Sequence, residues 1–315
     1  MNKYMGHPTQ ASGIEEHRLV GGKGDGMRLF EVRNGKGIEF TISADRCGDI
    51  SRLSYKGINL GFFAPCGYVA PQYYDNKGAN FLKSFTAGFL TTCGLTAVGS
   101  PCTDNGEELP LHGTISHIPA ENVIVDSEKL KITLTMRDAS LFSHHLILTR
   151  TYECIDNEII LTDKVKNIGT KTSEYMILYH FNMGYPLLCE NSKINICSNH
   201  VTPRNEHSKK GLDNRLIVES PQNGFEEQCY YYDMNKGEAS LYNPDLRVGV
   251  KFCYNTEELP CFTQWKMMGE YEYVMGLEPG NCYPDGRDVM RERRMLKFIA
   301  PSEEITQTIK IGFID

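Results

Sequence analysis

Hydrophobic and polar residues alternate along much of the chain. The alternation recurs in residues 131–136, 147–152, 159–165 and 305–313. In residues 305–313, isoleucine and phenylalanine alternate with threonine and lysine. A period of two indicates a β-strand with one face in the core and the other in solvent.

Turn-forming sequences separate these runs, among them Asn34-Gly35, Asp156-Asn157 and Asn235-Lys236-Gly237. Only a short helix is predicted, near residues 80–84, and the polar segment 202–213 is predicted to be an exposed loop. Many short strands with frequent turns favour an all-β fold. At this length, two large twisted antiparallel sheets packed face to face are the simplest arrangement.

No break in composition divides the 315 residues. The sequence therefore predicts an N-terminal extension, residues 1–20, followed by one β-sandwich domain, residues 21–315. Unpaired edge strands in so large a sheet would favour a homodimer.

Charge and cysteine usage exclude several classes of function. A formal net charge of −7 argues against a nucleic-acid surface, which normally carries a basic stripe. No stretch is long and apolar enough to span a bilayer, and the polar first ten residues do not form a signal peptide. We therefore expect a cytoplasmic protein. Its 11 cysteines include no C-x-x-C pair, so they are expected to be reduced and buried, with no metal site.

Three separated residues are candidates for proton transfer: His112, His180 and Glu278. His180 follows a strand-like run, and Asn182, two residues further on, should lie on the same face. Glu278 ends another such run before Pro279. Each alone is compatible with a structural role. Together, an imidazole and a carboxylate can exchange protons at neutral pH.

Trp265 is the only tryptophan, and Gln264 precedes it. An indole can pack on the apolar face of a sugar ring while an amide bonds hydroxyls, but a tryptophan can equally anchor a core. Arg46 and Asp49 could form a local ion pair at a turn.

The chain resembles the galactose mutarotase-like superfamily, the aldose 1-epimerases, and most closely a branch defined by a domain of unknown function. The resemblance begins near residue 21 and rests on residues 45–50, 84–96, 111–113, 179–186 and 276–281. Within these segments, the sequence Cys-Gly-Leu-Thr at residues 93–96 is the most specific.

The resemblance implies a β-supersandwich with an open carbohydrate cleft. Glu278 would take the proton of the anomeric hydroxyl, His180 would protonate the ring oxygen, and His112 would help to hold the sugar. No metal or organic cofactor would be needed, and the partner would be a small-molecule sugar or sugar derivative.

The candidate sugar contacts are Asn182, Trp265, Gln264, Arg46 and Lys83. The last two are candidates to replace an arginine with which mutarotases contact the sugar early in the chain. Whether the sugar is anionic stays open, because Arg46, Lys83 or Arg294 could line a local pocket.

Two alternatives to anomer interconversion remain. The same fold could support another sugar isomerisation or epimerisation through an enediol, because a fold does not determine a reaction. A non-catalytic carbohydrate-binding protein would need the aromatic and hydroxyl-binding residues but not Glu278.

Overall fold

Antiparallel strands make up most of the computed structural model, which describes residues 3–315. The first ten strands are β1 Gly13–Arg18, β2 Arg28–Arg33, β3 Ile38–Ser43, β4 Asp49–Tyr55, β5 Ile58–Asn59, β6 Phe62–Phe63, β7 Ala87–Gly88, β8 Leu90–Leu95, β9 Cys102–Asp104 and β10 Glu107–Leu109. The next six are β11 Asn122–Asp126, β12 Lys131–Ala139, β13 His145–Ile155, β14 Glu158–Asn167, β15 Ser173–Met183 and β16 Lys193–Pro203. The last six are β17 Gln228–Asn243, β18 Val248–Tyr254, β19 Cys261–Gly269, β20 Glu272–Gly280, β21 Lys297–Ile299 and β22 Glu304–Ile314.

Helices are short. The two α-helices are α1 Glu206–Lys210 and α2 Arg287–Glu292. Single 3₁₀ turns form at Pro8–Gln10, Gly22–Gly24, Pro71–Tyr73, Asn80–Lys83, Ile115–His117 and Leu212–Asn214. None of the helices within residues 3–315 is long and apolar enough to cross a membrane.

The segment 202–213 is not simply the loop predicted from its polarity. It contains the end of β16, helix α1 and the start of the last 3₁₀ turn. The Asn205 side chain caps α1 by accepting a hydrogen bond from the Ser208 N–H at 2.8 Å, which satisfies a donor that the helix start leaves free.

Five strands form the smaller sheet, in the order β1-β2-β3-β4-β5. β1 lies within the predicted N-terminal extension, yet it pairs with β2 along its whole length, from Gly13 opposite Arg33 to Arg18 opposite Arg28. Residues 13–18 are therefore part of this sheet. The periodicity missed them because only Gly13 and Ile14 are buried.

The larger sheet has 13 strands, with the main path β11-β12-β13-β14-β22-β18-β17-β19-β20-β15-β21. β8 pairs with β15 and β16 pairs with β17 beside this path. The alternation of residues 131–136 and 305–313 matches the burial pattern of β12 and β22. The predicted all-β fold of antiparallel sheets is therefore confirmed.

The two sheets share one hydrophobic core. Phe40 from β3 and Tyr152 from β13 approach within 6.1 Å, measured between ring centroids, and buried residues of both sheets belong to the same cluster. Packing two apolar sheet faces against each other removes both from water, which is the main stabilising contribution.

A buried ion network lies at the junction of β4, β8, β13, β14 and β15. The guanidinium of Arg150 contacts Asp49 at 2.6 Å and Asp163 at 2.6 Å, and it also donates to Thr92. Asp49 therefore pairs with Arg150 rather than forming the local pair with Arg46 that the sequence allowed. The hydroxyl of Tyr179 donates to Asp163 at 2.9 Å, which connects the network to the residue before His180.

Candidate active site

His180 and Glu278 occupy opposite positions on neighbouring strands. In the pairing of β15 with β20, Leu178 lies opposite Gly280 and Phe181 opposite Leu277, a register that sets His180 across from Glu278. Directly opposed side chains of an antiparallel pair lie on the same face and within reach of each other. The strand-pairing register thus brings the two predicted proton-transfer groups together.

The two groups are close and buried. Nε2 of His180 lies 3.3 Å from Oε1 of Glu278, although the geometry does not form a hydrogen bond. Burial lowers the pKa of His180 to about 4. Burial also raises the pKa of Glu278 well above its ordinary value; the nearby charge of Glu227 raises it further and that of Arg204 opposes the rise. Both shifts follow from the cost of charging a group away from water.

A tight loop brings His112 to the same place. His112 has a left-handed backbone with a φ of 59°, and its N–H donates to the carbonyl of Gly99 at 2.9 Å. The next residue, Gly113, has a φ of 73°, and a Cβ there would lie 2.4 Å from the Gly94 carbonyl oxygen. Only glycine fits such a position. The ring centroids of His112 and His180 are 5.7 Å apart. Burial lowers the pKa of His112 to about 3.

These three side chains line a cavity of about 190 Å³, here called the first cavity. Its wall also contains Thr263, Trp265, Phe85, Phe81, Arg204 and Glu227. This volume is below the range typical of drug-sized ligand sites and suits a ligand the size of a single sugar.

Four residues that line this cavity have a buried polar atom without a partner. Within the described part of the chain, His112 Nδ1, His180 Nδ1, Thr263 Oγ1 and Glu278 Oε1 are buried and have no hydrogen-bond partner. Most buried polar atoms in native proteins are paired. Four of the residues that line one cavity thus have a polar atom without a protein partner, which favours a polar ligand there.

Aromatic rings form another part of the wall. The ring of Trp265 packs edge-on to His180 with centroids 5.3 Å apart, and Phe85 does so at 5.5 Å. The indole Nε1 of Trp265 donates to a carboxylate oxygen of Glu227 at 2.7 Å, which fixes the orientation of the indole. An aromatic face beside polar groups suits a sugar, which has apolar faces and hydroxyl edges.

Asn182 and Gln264, predicted as sugar contacts, do not line the first cavity. Asn182 shares a face with His180, as predicted, but it is fully buried and donates to the His180 carbonyl at 2.9 Å. Gln264 points to the face opposite Trp265, because successive strand residues alternate. There it accepts from Tyr232 and donates to the Arg215 carbonyl.

The two proposed replacements for the sugar-binding arginine also lie elsewhere. Arg46 is buried and donates to the carbonyls of Ser116 at 2.7 Å and Val69 at 2.9 Å. Lys83 ends a 3₁₀ turn with its side chain exposed. Neither lies on the wall of the first cavity.

Thr263, Arg204 and Glu227 are among the cavity residues that were not predicted. Thr263 lies opposite Glu278 on β19, and the period of two that links it to Trp265 would have identified it. Arg204 follows β16 in the segment 202–213, and Glu227 precedes β17 in a polar stretch. Nothing in their local sequence distinguishes them from solvated residues.

No group of three or more metal-ligating side chains occurs among residues 3–315. The two histidines and the glutamate of the first cavity therefore do not form part of a metal-ligand cluster of that kind.

Solved structures share this fold. A candidate aldose 1-epimerase from Klebsiella pneumoniae subsp. pneumoniae MGH 78578 aligns with a TM-score of 0.89 at 24% identity, over 96% of this chain and 83% of that one. The Slr1438 protein from Synechocystis sp. PCC 6803 aligns with a TM-score of 0.71 at 14% identity, over 95% and 99%. A galactose mutarotase-like protein from Clostridium acetobutylicum aligns with a TM-score of 0.68 at 14% identity, over 97% and 99%.

These likenesses establish the galactose mutarotase-like fold. No curated protein matches the sequence. The family described as "Domain of unknown function (DUF4432)" matches residues 24–313, nearly the whole chain. The chain is therefore a member of the DUF4432 family, with the fold of the galactose mutarotase-like proteins.

Proposed function

We propose that this protein is an isomerase that interconverts the α and β anomers of an aldose or aldose derivative. The observation that carries the proposal is the set of unpaired buried atoms of His112, His180, Thr263 and Glu278 around one sugar-sized cavity. The likeness to mutarotase-like structures supports it at the level of fold.

The proposed reaction uses one acid and one base. Glu278 removes the proton of the anomeric hydroxyl while His180 donates a proton to the ring oxygen, and the bond between the anomeric carbon and that oxygen breaks. The product is the open-chain aldehyde. After rotation, the reverse transfers close the ring on the other face of the carbonyl, so that no proton is gained or lost overall.

The geometry suits this pair of transfers. The two oxygens concerned are bonded to the same carbon, so their acid and base must also be neighbours; Nε2 of His180 and Oε1 of Glu278 are 3.3 Å apart. A neutral imidazole can donate its N–H, and a raised carboxyl pKa makes Glu278 a stronger base than a solvated glutamate. His112, whose ring centroid lies 5.7 Å from that of His180, would help to hold the sugar.

The test is the rate at which fresh α-anomers of a panel of aldoses equilibrate, with wild type and Glu278→Gln compared. We expect wild type to accelerate at least one sugar and the variant to lose roughly 10²–10⁴-fold of that acceleration, as for a positioned general base. Saturation-transfer NMR on the same samples reports binding separately. An unchanged rate in the variant would refute the role of Glu278.

The same experiment separates the alternatives. An enediol route would exchange a carbon-bound hydrogen of the sugar with solvent deuterium, whereas mutarotation exchanges only hydroxyl protons. A binding protein would retain the saturation-transfer signal with no acceleration of the anomers by the wild type.

A cytosolic location is part of the proposal. All 11 cysteines are free thiols in the described chain, an arrangement that a reducing compartment maintains.

A further inference from the structure

A second cavity adjoins the first. It has a volume of about 430 Å³, and Leu82, Phe85, Glu227 and Trp265 line both. The rest of its wall is mainly apolar, and its only charged lining residues are Glu227 and Glu272. Glu227 therefore faces both cavities from their common wall.

The charges on the two walls are unbalanced. The first cavity has two carboxylates, Glu227 and Glu278, and one guanidinium, Arg204. The second adds only the carboxylate of Glu272. Within residues 3–315, neither Glu227 nor Glu272 has a cationic partner within ion-pair distance.

The one cation of the first cavity is already paired. Nε of Arg204 lies 3.2 Å from Asp285, and its Nη2 donates to Ser100 at 2.8 Å and to the Pro284 carbonyl. Asp285 also pairs with Arg293, which does not line the cavity. Arg204 is therefore held on the cavity wall by Asp285, Ser100 and Pro284.

Glu227 is held in place. One carboxylate oxygen accepts from the Trp265 indole at 2.7 Å, and the other has no partner in the part of the chain that the structure describes. The three cations predicted as candidates to favour an anionic sugar lie elsewhere, because none of Arg46, Lys83 and Arg294 lines either cavity.

We infer that the site admits uncharged and cationic sugars and rejects anionic ones, and that Glu227 is the residue responsible for this selection. The inference rests on the proposed function, since it assigns the substrate class of that same site. A phosphate or carboxylate on the sugar would approach the carboxylates of Glu227 and Glu272. Among the described residues, Arg204 is the one arginine or lysine that lines either cavity, and it is already paired with Asp285. An amino group or a hydroxyl meets an acceptor instead.

The experiment compares neutral, anionic and cationic sugars. For both glucose and galactose, these are the parent sugar, its 6-phosphate and its 2-amino derivative. Binding by saturation-transfer NMR and anomer exchange are measured for wild type, Glu227→Gln and a control, Glu226→Gln. The control removes the same charge one residue away, where Glu226 contacts His207 and does not line either cavity.

We expect wild type to bind and convert parent and amino sugars and to discriminate against the phosphate. Glu227→Gln should raise kcat/KM for the phosphate relative to the parent sugar by roughly three- to tenfold, since Glu227 is exposed and solvent screens part of the repulsion between like charges. Glu226→Gln should leave this ratio unchanged. Added salt should weaken the wild-type discrimination because it screens the exposed carboxylate.

The outcomes separate this inference from the proposed function. Conversion of the phosphate as efficiently as the parent sugar, or an unchanged ratio in Glu227→Gln, would overturn the inference and leave the isomerase intact. Selective binding of parent and amino sugars without conversion would overturn the isomerase but support the selection. If no sugar of any charge binds, both fail.

Discussion

Gly276 lies beneath the carboxylate of Glu278, two residues along the same face of β20. A Cβ on Gly276 would come within 2.2 Å of Glu278 Oε1 and 2.9 Å of the Trp265 Cβ. Its φ is not positive, so the restriction is one of space rather than of backbone conformation. The absence of a side chain here lets the base fold back over the strand toward His180.

Gly276→Ala should therefore displace the Glu278 carboxylate, and the contact with the Trp265 Cβ on the paired strand should also lower the melting temperature. Because a shift of about 1 Å in a reacting group can cost roughly 10²-fold in rate, we expect anomer exchange to fall by about that factor. The measurement is the exchange rate alongside the melting temperature.

Gly312→Ala is the matched control for that variant. Gly312 lies in β22, and its nearest neighbours to an added Cβ are at 3.8 and 4.0 Å, which is ordinary contact. Its rate should equal that of wild type. Equal anomer-exchange rates for Gly276→Ala and Gly312→Ala would show that the space between Gly276 and the Glu278 carboxylate is not required.

The pH dependence should distinguish a neutral imidazole acid from an imidazolium. Glu278 acts as a base only when it is deprotonated, so kcat/KM should rise with pH as Glu278 loses its proton. Because the pKa of Glu278 is raised, this rise should lie above pH 4.5, the ordinary pKa of a glutamate. His180 has a pKa of about 4 and is neutral at pH 6–8. An imidazolium acid would instead lose activity as pH rises through about 6.5.

We thus expect a rate that rises with pH and shows no fall near pH 6.5, after subtraction of the buffer-catalysed rate. Anomer exchange measured from pH 4 to 9 in wild type and Glu278→Gln tests this, and the rising limb should be absent in the variant. A fall centred near pH 6.5 would contradict the neutral state of His180.

Local periodicity could predict part of the site and not the rest. It assigned His180 and Asn182 to one face, and the same rule, applied strictly, would have excluded Gln264 once Trp265 was assigned to the cavity. Pairing His180 with Glu278 depends on the register of β15 and β20, which joins segments far apart in the sequence. Here the resemblance to a family supplied what periodicity could not.

Arg204 illustrates what neither approach could supply. Its side chain is directed by Asp285, Ser100 and Pro284, which belong to two other loops that meet only in the folded chain. Similarly, the strand at Gly13–Arg18 has one buried end and a polar remainder, so its pairing with β2 leaves little trace in the local pattern.

The network around Arg150 supports the site from the core, and its removal should destabilise the whole fold. Arg150→Met would leave the carboxylates of Asp49 and Asp163 buried without their cation. Breaking such a pair from one side costs about 3–5 kcal/mol. We expect a reduction of that size in the free energy of unfolding at pH 7, measured in urea.

A control and a pH series identify the cause as charge. Arg137→Met removes an arginine from the neighbouring strand β12, where it pairs with Glu121 on the surface with about half of its side chain exposed (45%); such pairs contribute about 0–1 kcal/mol. Burial already raises the pKa of Asp49, and Arg150 opposes that rise. Without Arg150, Asp49 adds a penalty that is absent below its ordinary pKa of about 4 and grows as pH rises from there toward the raised folded value. The loss should therefore be larger at pH 8 than at pH 5, and a loss independent of pH would assign the effect to packing instead.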